Sequence, residues 1–363
     1  MINLFKVFTH EDATKNVQEV LKSGYLAEGP RVLELETALA KEFGCEPKNV
    51  VTTNSCTSAI HLCLSDVTIQ ENVISTPLTC AATNMAVVQA GKKIVWSDID
   101  NTLNLDLDYA EQLLSESCNT IVWVNWGGNS IDLGKVVQIA DRYRRKYGQR
   151  LKLIEDAAHC WIDVGYKINL DVVKHYKCYS TQAIKYLTTG DGGFIIASDS
   201  DQDWLRKLRW FGLDRSKGGF RSGQDIDRAG FKSHMNDVAA SIGLGNLPHV
   251  KENVDKQKKN AQYLRANLQN FVKIPTESEY GHSYWLFTIL VENRPKFIEG
   301  MLAAGVEVNQ VHQRNDKLSC FKEFSSMLPY MDSIENKYVC IPVHWGFTED
   351  NLKYIVEKVK ENI

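Results

Sequence analysis

From residue 49 to 198, short apolar runs alternate with segments long enough to form a crossover helix, and that rhythm limits the chain to few folds. The runs are NVVTT (49–53), NVIST (72–76), KKIVWS (92–97), TIVWVN (120–125), LKLIE (151–155), KCYST (177–181) and GFIIAS (193–198). Strands joined by crossovers pair in parallel, and parallel sheets need cover on both faces. The expected fold class is α/β, built on a mostly parallel seven-stranded sheet.

Before the sheet, Val32, Leu35, Leu39 and Phe43 recur at helical spacing after EGP (28–30), which predicts a helix starting just past Pro30. After it, helical patterns at 200–210 and 250–272 lead into YWLFTILV (284–291), a helix near 295–304 and a final amphipathic helix near 350–361. The change of pattern predicts two domains. Residues 1–248 hold an N-terminal segment and the large α/β domain, and residues 249–363 a smaller C-terminal α+β domain.

Composition narrows the function classes. With 42 basic and 45 acidic residues the formal charge is −3, so the chain carries no overall basic field for nucleic acid. The basic runs RYRRKYG (142–148) and KQKKN (256–260) read as solvated helix faces. Nine cysteines, an odd number without a CxxC pair or a histidine-rich cluster, fit free thiols in a reducing compartment and predict no metal site. The start, MINLFKVFTHEDATK, lacks a basic region followed by a long apolar stretch, and no apolar run reaches membrane-spanning length. A cytoplasmic protein without a membrane partner is expected.

In open α/β sheets ligands bind beyond the carboxyl ends of the strands. The polar residues at those ends are Asn54 to Thr57, Asn125, Asp156 and Ser180 to Lys185. Lys185 lies in STQAIKYLTTGDGG (180–193), between an apolar strand and a Gly-rich turn, a setting in which desolvation lowers an ammonium pKa and leaves a nucleophilic amine. TTNSCTSAIHLCL (52–64) reads as strand, polar turn and helix, with the helix starting at Cys56 or Thr57. Free backbone N–H groups there, aided by Ser and Thr hydroxyls, suit a phosphate. Asp156 ends an apolar strand beside Ala157 and Ala158, small enough to let a planar ring approach. A buried carboxylate needs a cation, which a protonated pyridine nitrogen supplies. Ser180, five residues before Lys185, adds a hydroxyl for the phosphate.

These segments together resemble the DegT/DnrJ/EryC1/StrS family of pyridoxal-phosphate-dependent sugar aminotransferases. The resemblance is carried by SGYLAEGPRVLELE (23–36), TNSCTSAIHL (53–62), VVQAGKKIVWSDIDNTLNLD (87–106), IEDAAH (154–159), STQAIKYLTTGDGG (180–193), LRWFGLDR (208–215) and GFKSHMNDVAASIGLGNL (230–247). It implies the fold type I, aspartate aminotransferase-like, architecture. It also implies pyridoxal 5'-phosphate as cofactor, with pyridoxamine 5'-phosphate as the intermediate form. By the resemblance Lys185 is the Schiff-base lysine, Asp156 partners the pyridine nitrogen and His159 neighbours the phenolic oxygen. Ser55, Cys56 and Ser180 face the phosphate. His234 or Asn236 reaches the partner's phosphate across a homodimer with composite sites. Where many relatives place an aromatic over the pyridine face, this chain has Cys80 in TPLTCAATN (76–84).

The implied reaction moves an amino group from glutamate to a nucleotide-linked 4-keto-6-deoxyhexose, giving a viosamine- or perosamine-type product. Expected acceptor contacts are Tyr25, Glu28, Asn125, Trp126, His312, Arg314 and Asn315, with Arg314 suited to a pyrophosphate. Amination at C-3 is a rival within the enzyme class. Lys185 opposes the family's 3-dehydratase branch, which carries histidine there, and Lys185 with Asp156 opposes a non-catalytic binding or regulatory protein on the same scaffold.

Overall fold

The computed structural model describes residues 1–161, 173–198, 200–215 and 223–363. Its main sheet contains β1 (Val50–Thr53), β2 (Asn72–Ser75), β3 (Lys93–Trp96), β4 (Thr120–Val124), β5 (Leu151–Asp156), β6 (Val173–Ser180) and β7 (Gly193–Ile196). Their spatial order is β1-β7-β6-β5-β4-β2-β3. The pairs β2–β3, β2–β4, β4–β5 and β5–β6 are parallel, while β7 runs antiparallel to both β6 and β1. All seven sequence-predicted strands are present, and the sheet is mostly parallel. Strands β1, β4 and β5 are buried along their whole length, as strands covered on both faces must be.

The helix predicted past Pro30 spans Pro30–Glu42 and buries Val32, Leu35 and Leu39, while Phe43 closes it. Its N-cap residue Gly29 has no side chain to offer. Instead the Asp237 carboxylate accepts N–H bonds from Gly29, Arg31 and Val32 at 2.8–3.2 Å, so the cap arrives from a segment some 200 residues away.

Helices Gln202–Leu208, Val250–Leu268, Arg294–Ala303 and Glu349–Asn362 lie where periodicity placed them. The strand expected over 284–291 is shorter. β8 covers Phe287–Leu290 and pairs antiparallel with β9 (Tyr338–Ile341). Tyr284 adopts φ 60°, a left-handed turn that is costly for an aromatic residue, and this breaks the extended run so that Trp285 leaves the sheet.

One core joins the main sheet to its covering helices, and Phe321, Met331 and Tyr338 reach into it. A second core gathers residues from Ala261 to Val359, including Phe287, Phe297 and Ile355, with Ile2 packed against it. Ile2 bridges to Val306, so the first residues of the chain pair with its last third. No helix among the described residues is long and apolar enough to cross a membrane.

Candidate active site

Beyond the carboxyl ends of the strands lies a cavity of about 450 Å³. The fold brings to it Ser55, Cys56, Thr57, Cys80, Asp156, Ala158, His159, Ser180, Lys185 and His312, ten of the residues singled out from sequence. The helix Cys56–Leu64 points its start into the cavity. Ser55 is its N-cap, extended at φ −167°, and its hydroxyl accepts the Ser58 N–H at 3.1 Å. A Cβ on Gly193 would stand 2.7 Å from the Cys56 nitrogen, so only glycine lets β7 pass behind this turn. The N–H groups of the first helical turn and the Ser180 hydroxyl at the end of β6 make one end of the cavity a site for an anion.

Asp156, the last residue of β5, is 4% exposed. Its Oδ2 accepts the Thr83 hydroxyl at 2.6 Å and its Oδ1 accepts the Ala158 N–H at 3.0 Å. Among the described residues it has no ion pair, and burial pushes its pKa up. The preceding residue, Glu155, faces the other side of the sheet, as strand pleating requires, and accepts the Asn125 amide at 2.7 Å.

Lys185 follows β6 in a turn closed by its own N–H bonding the Gln182 carbonyl at 2.9 Å. Burial lowers its pKa from 10.5 to about 8, against the opposing pull of Asp156, Cys56 and Cys80. Its Nζ stands 3.5 Å from the centre of the Trp285 ring. His159 is buried and stacks on Trp285, with centroids 4.0 Å apart and planes 19° apart. Burial, followed by the nearby Lys185 and His312, holds its imidazole neutral.

Other expected contacts lie elsewhere. Asn125 is held by Glu155, and Trp126 is buried with its indole N–H donated to the Thr288 hydroxyl at 3.0 Å. The expectation for Arg314 is corrected. It is 4% exposed, and its charge is taken up by Asp316 at 2.6 Å, Asp332 at 2.5 Å and Glu335 at 3.1 Å, leaving no fork for a pyrophosphate. Asn315 is likewise structural, accepting the Asn84 amide at 2.8 Å and donating to the Thr79 carbonyl at 2.9 Å behind the turn that carries Cys80.

Tyr25 and Glu28 line a separate cavity of about 730 Å³, where Glu28 pairs with Arg209 at 2.6 Å and Arg215 at 2.9 Å. His234 packs edge-on against Trp210, and the Asn236 side chain caps the helix Asp237–Asn246 by accepting the Ala239 N–H. Neither enters its own chain's cavity, although Ser233 accepts the Asn54 N–H at 2.8 Å beside the anion end.

Sequence reasoning missed Thr83, Trp285 and Phe5 as cavity residues. Thr83 carried a readable signal, standing three residues after Cys80 and so on the same face of the helix Ala81–Gln89. Trp285 carried none, because its run reads as a strand.

The chain is similar to known proteins over nearly its whole length. The model of the DegT/DnrJ/EryC1/StrS aminotransferase family matches residues 8–360. A UDP-4-amino-4,6-dideoxy-N-acetyl-beta-L-altrosamine transaminase from Campylobacter jejuni is 27% identical over 371 residues, covering 94% of each chain. Among solved structures, the sugar aminotransferase CalS13 from Micromonospora echinospora superposes with a TM-score of 0.93 at 34% identity, covering 100% of both chains. AtS13 from Actinomadura melliaura gives 0.94 at 35% identity, over 100% of this chain and 99% of its own.

Aminotransferases of this family depend on pyridoxal phosphate, and the residues present fit that group. A buried carboxylate without an ion partner among the described residues suits a protonated ring nitrogen. A helix start that opens into the cavity suits the phosphate, and a lysine with a lowered pKa suits the aldehyde. The chain is therefore a member of the DegT/DnrJ/EryC1/StrS aminotransferase family, with pyridoxal phosphate as its cofactor.

Proposed function

We propose that this enzyme transfers an amino group from glutamate to a nucleotide-linked 4-keto-6-deoxyhexose in the cytoplasm. The product is a 4-amino-4,6-dideoxy sugar of viosamine or perosamine type, and the two half-reactions alternate on one site. The observation that carries the reading is the meeting, in one cavity, of a lysine whose pKa falls to about 8 with a buried carboxylate that has no ion partner among the described residues. The name of the Campylobacter relative, a transaminase of a 4-amino-4,6-dideoxy nucleotide sugar, supports the substrate class.

When bound, the cofactor would supply an electron sink for the proton transfer. The residues of the chain do the rest. Lys185 Nζ, neutral in an appreciable fraction near pH 7, accepts the proton from the amino donor's α-carbon and returns it on the other side of the transfer. Asp156, fixed by Thr83 and the Ala158 N–H, keeps a positive partner at the ring nitrogen. Neutral His159 offers a hydrogen bond without adding charge. Ser55, Cys56, Thr57 and Ser180 bind the phosphate, while Cys80 and Ala158 leave room for the ring.

Within this reading, His234 and Asn236 serve the site of a second subunit, and Tyr25 and Glu28 contact the acceptor bound there. The support is that all four lie outside their own chain's cavity. The division into domains at 248/249 belongs to the same proposal. A panel of UDP-, GDP- and dTDP-linked 4-keto and 3-keto sugars with glutamate tests the function. Turnover confined to 3-keto sugars would replace C-4 with C-3, and no turnover on any would refute the substrate class.

A further inference from the structure

The Lys185 amine alternates between a bond to the cofactor and freedom, and when free it needs a place to hold its charge. Asp156 favours that charge from a distance, but no ion pair joins the two. The ammonium lies instead 3.5 Å from the centre of the Trp285 ring. That indole is fixed on every side. Its N–H donates to the carbonyl of Ile184 at 3.0 Å, which ties it to the turn that bears the lysine. Its ring stacks on His159 at 4.0 Å and on Phe5 at 5.1 Å, and it is 4% exposed. The left-handed turn at Tyr284 is what sends it there.

We infer that Trp285 is a positioning residue: its π face receives the Lys185 ammonium whenever the amine is released from the cofactor, holding it over the site of proton transfer and setting its proton affinity. The inference rests on the reading of Lys185 as the cofactor-bonding lysine. A ring face attracts a cation electrostatically, so the indole favours the ammonium over the neutral amine. The other groups facing Nζ are Asp156, Cys56 and Cys80, which favour the charge, and neutral His159 and His312, which add none. Two roles for Trp285 then make opposite predictions. As a π partner it raises the lysine pKa, whereas as a mere wall that excludes water it lowers it.

The test uses cofactor-free protein and its capture of added pyridoxal phosphate, followed by absorbance across pH. Capture forms a C=N bond between Nζ and the aldehyde carbon and releases water, and only the neutral amine has the lone pair to start it. Rate against pH therefore reports the Lys185 titration. In Trp285→Phe and Trp285→Leu the midpoint should fall in that order, by about one pH unit in the leucine variant, so that capture at pH 7 quickens up to about tenfold. Phenylalanine keeps the stack and guards against a variant that fails to fold, with circular dichroism confirming both. A midpoint that stays put, or climbs toward the ordinary lysine value as water enters, overturns the inference. Borohydride fixation in the unmodified protein separates the two readings. Label on a peptide lacking Lys185 refutes the assignment of the lysine, whereas label on Lys185 with an unmoved midpoint refutes the role of Trp285 alone.

Discussion

Removing the charge of Lys185 should make the cofactor-free protein more stable while abolishing its turnover. Held at about 8 against an ordinary 10.5, the buried ammonium costs the folded chain about 3 kcal/mol at any pH below 8. Lys185→Met shortens the side chain by one atom, removes the charge and lets a thioether rest on the same indole. At 363 residues the unfolding entropy is large, so this gain raises the melting temperature by only about 4 °C.

The pH dependence is the sharper signature. Between about 8 and 10.5 the unfolded wild-type chain binds a proton that the folded chain does not, so wild-type stability rises through that window. The advantage of the variant is therefore full at pH 7 and vanishes by the upper end of the window. Thermal melts of both cofactor-free proteins, followed by circular dichroism at several pH values, measure it. A variant no more stable at pH 7, or an advantage that grows with alkalinity, would refute the claim that burial strains this lysine.

Further outcomes concern other parts of the site. Asp156→Asn should keep its fold and bind cofactor, yet slow the half-reaction with glutamate roughly 10²-fold or more, as read by stopped-flow absorbance. Mixing Lys185→Ala subunits with subunits carrying His234→Ala and Asn236→Ala should restore activity, because a composite dimer then holds one undamaged site; heterodimers without recovery would refute sharing. Arg209→Met should cost about 3–5 kcal/mol in urea unfolding, since it leaves the buried Glu36 and the half-buried Glu28 carboxylates short of a partner at 2.8 and 2.6 Å.

The main sheet was legible because each of its strands is a short apolar run closed by a polar turn, and the cavity followed from the rule that ligands gather at strand ends. Ser55, Asp156, Ser180 and Lys185 are found together for that reason alone. What stayed hidden depended on contacts distant in sequence. Arg314 looked available because VHQRND is polar, yet Asp332 and Glu335 come from the following helical turn and pull it inward. Asn125 stands at a strand end as expected, but Glu155 on the opposite face claims its amide. Trp285 was concealed by a run whose composition favours a strand and whose backbone turns away at Tyr284.

The two consecutive acids at the end of β5 make this strand intolerant of odd changes in length. Glu155 secures Asn125 on one side of the sheet while Asp156 faces the cavity on the other, and only the pleat separates their duties. Inserting or deleting one residue between Leu151 and Asp156 would exchange them, turning a glutamate, one methylene longer, toward the ring and leaving an aspartate too short to hold Asn125. An insertion of two would preserve the sides. Chain length here is thus restricted by parity, a constraint that sequence variation in this strand must respect even where the individual apolar residues are interchangeable.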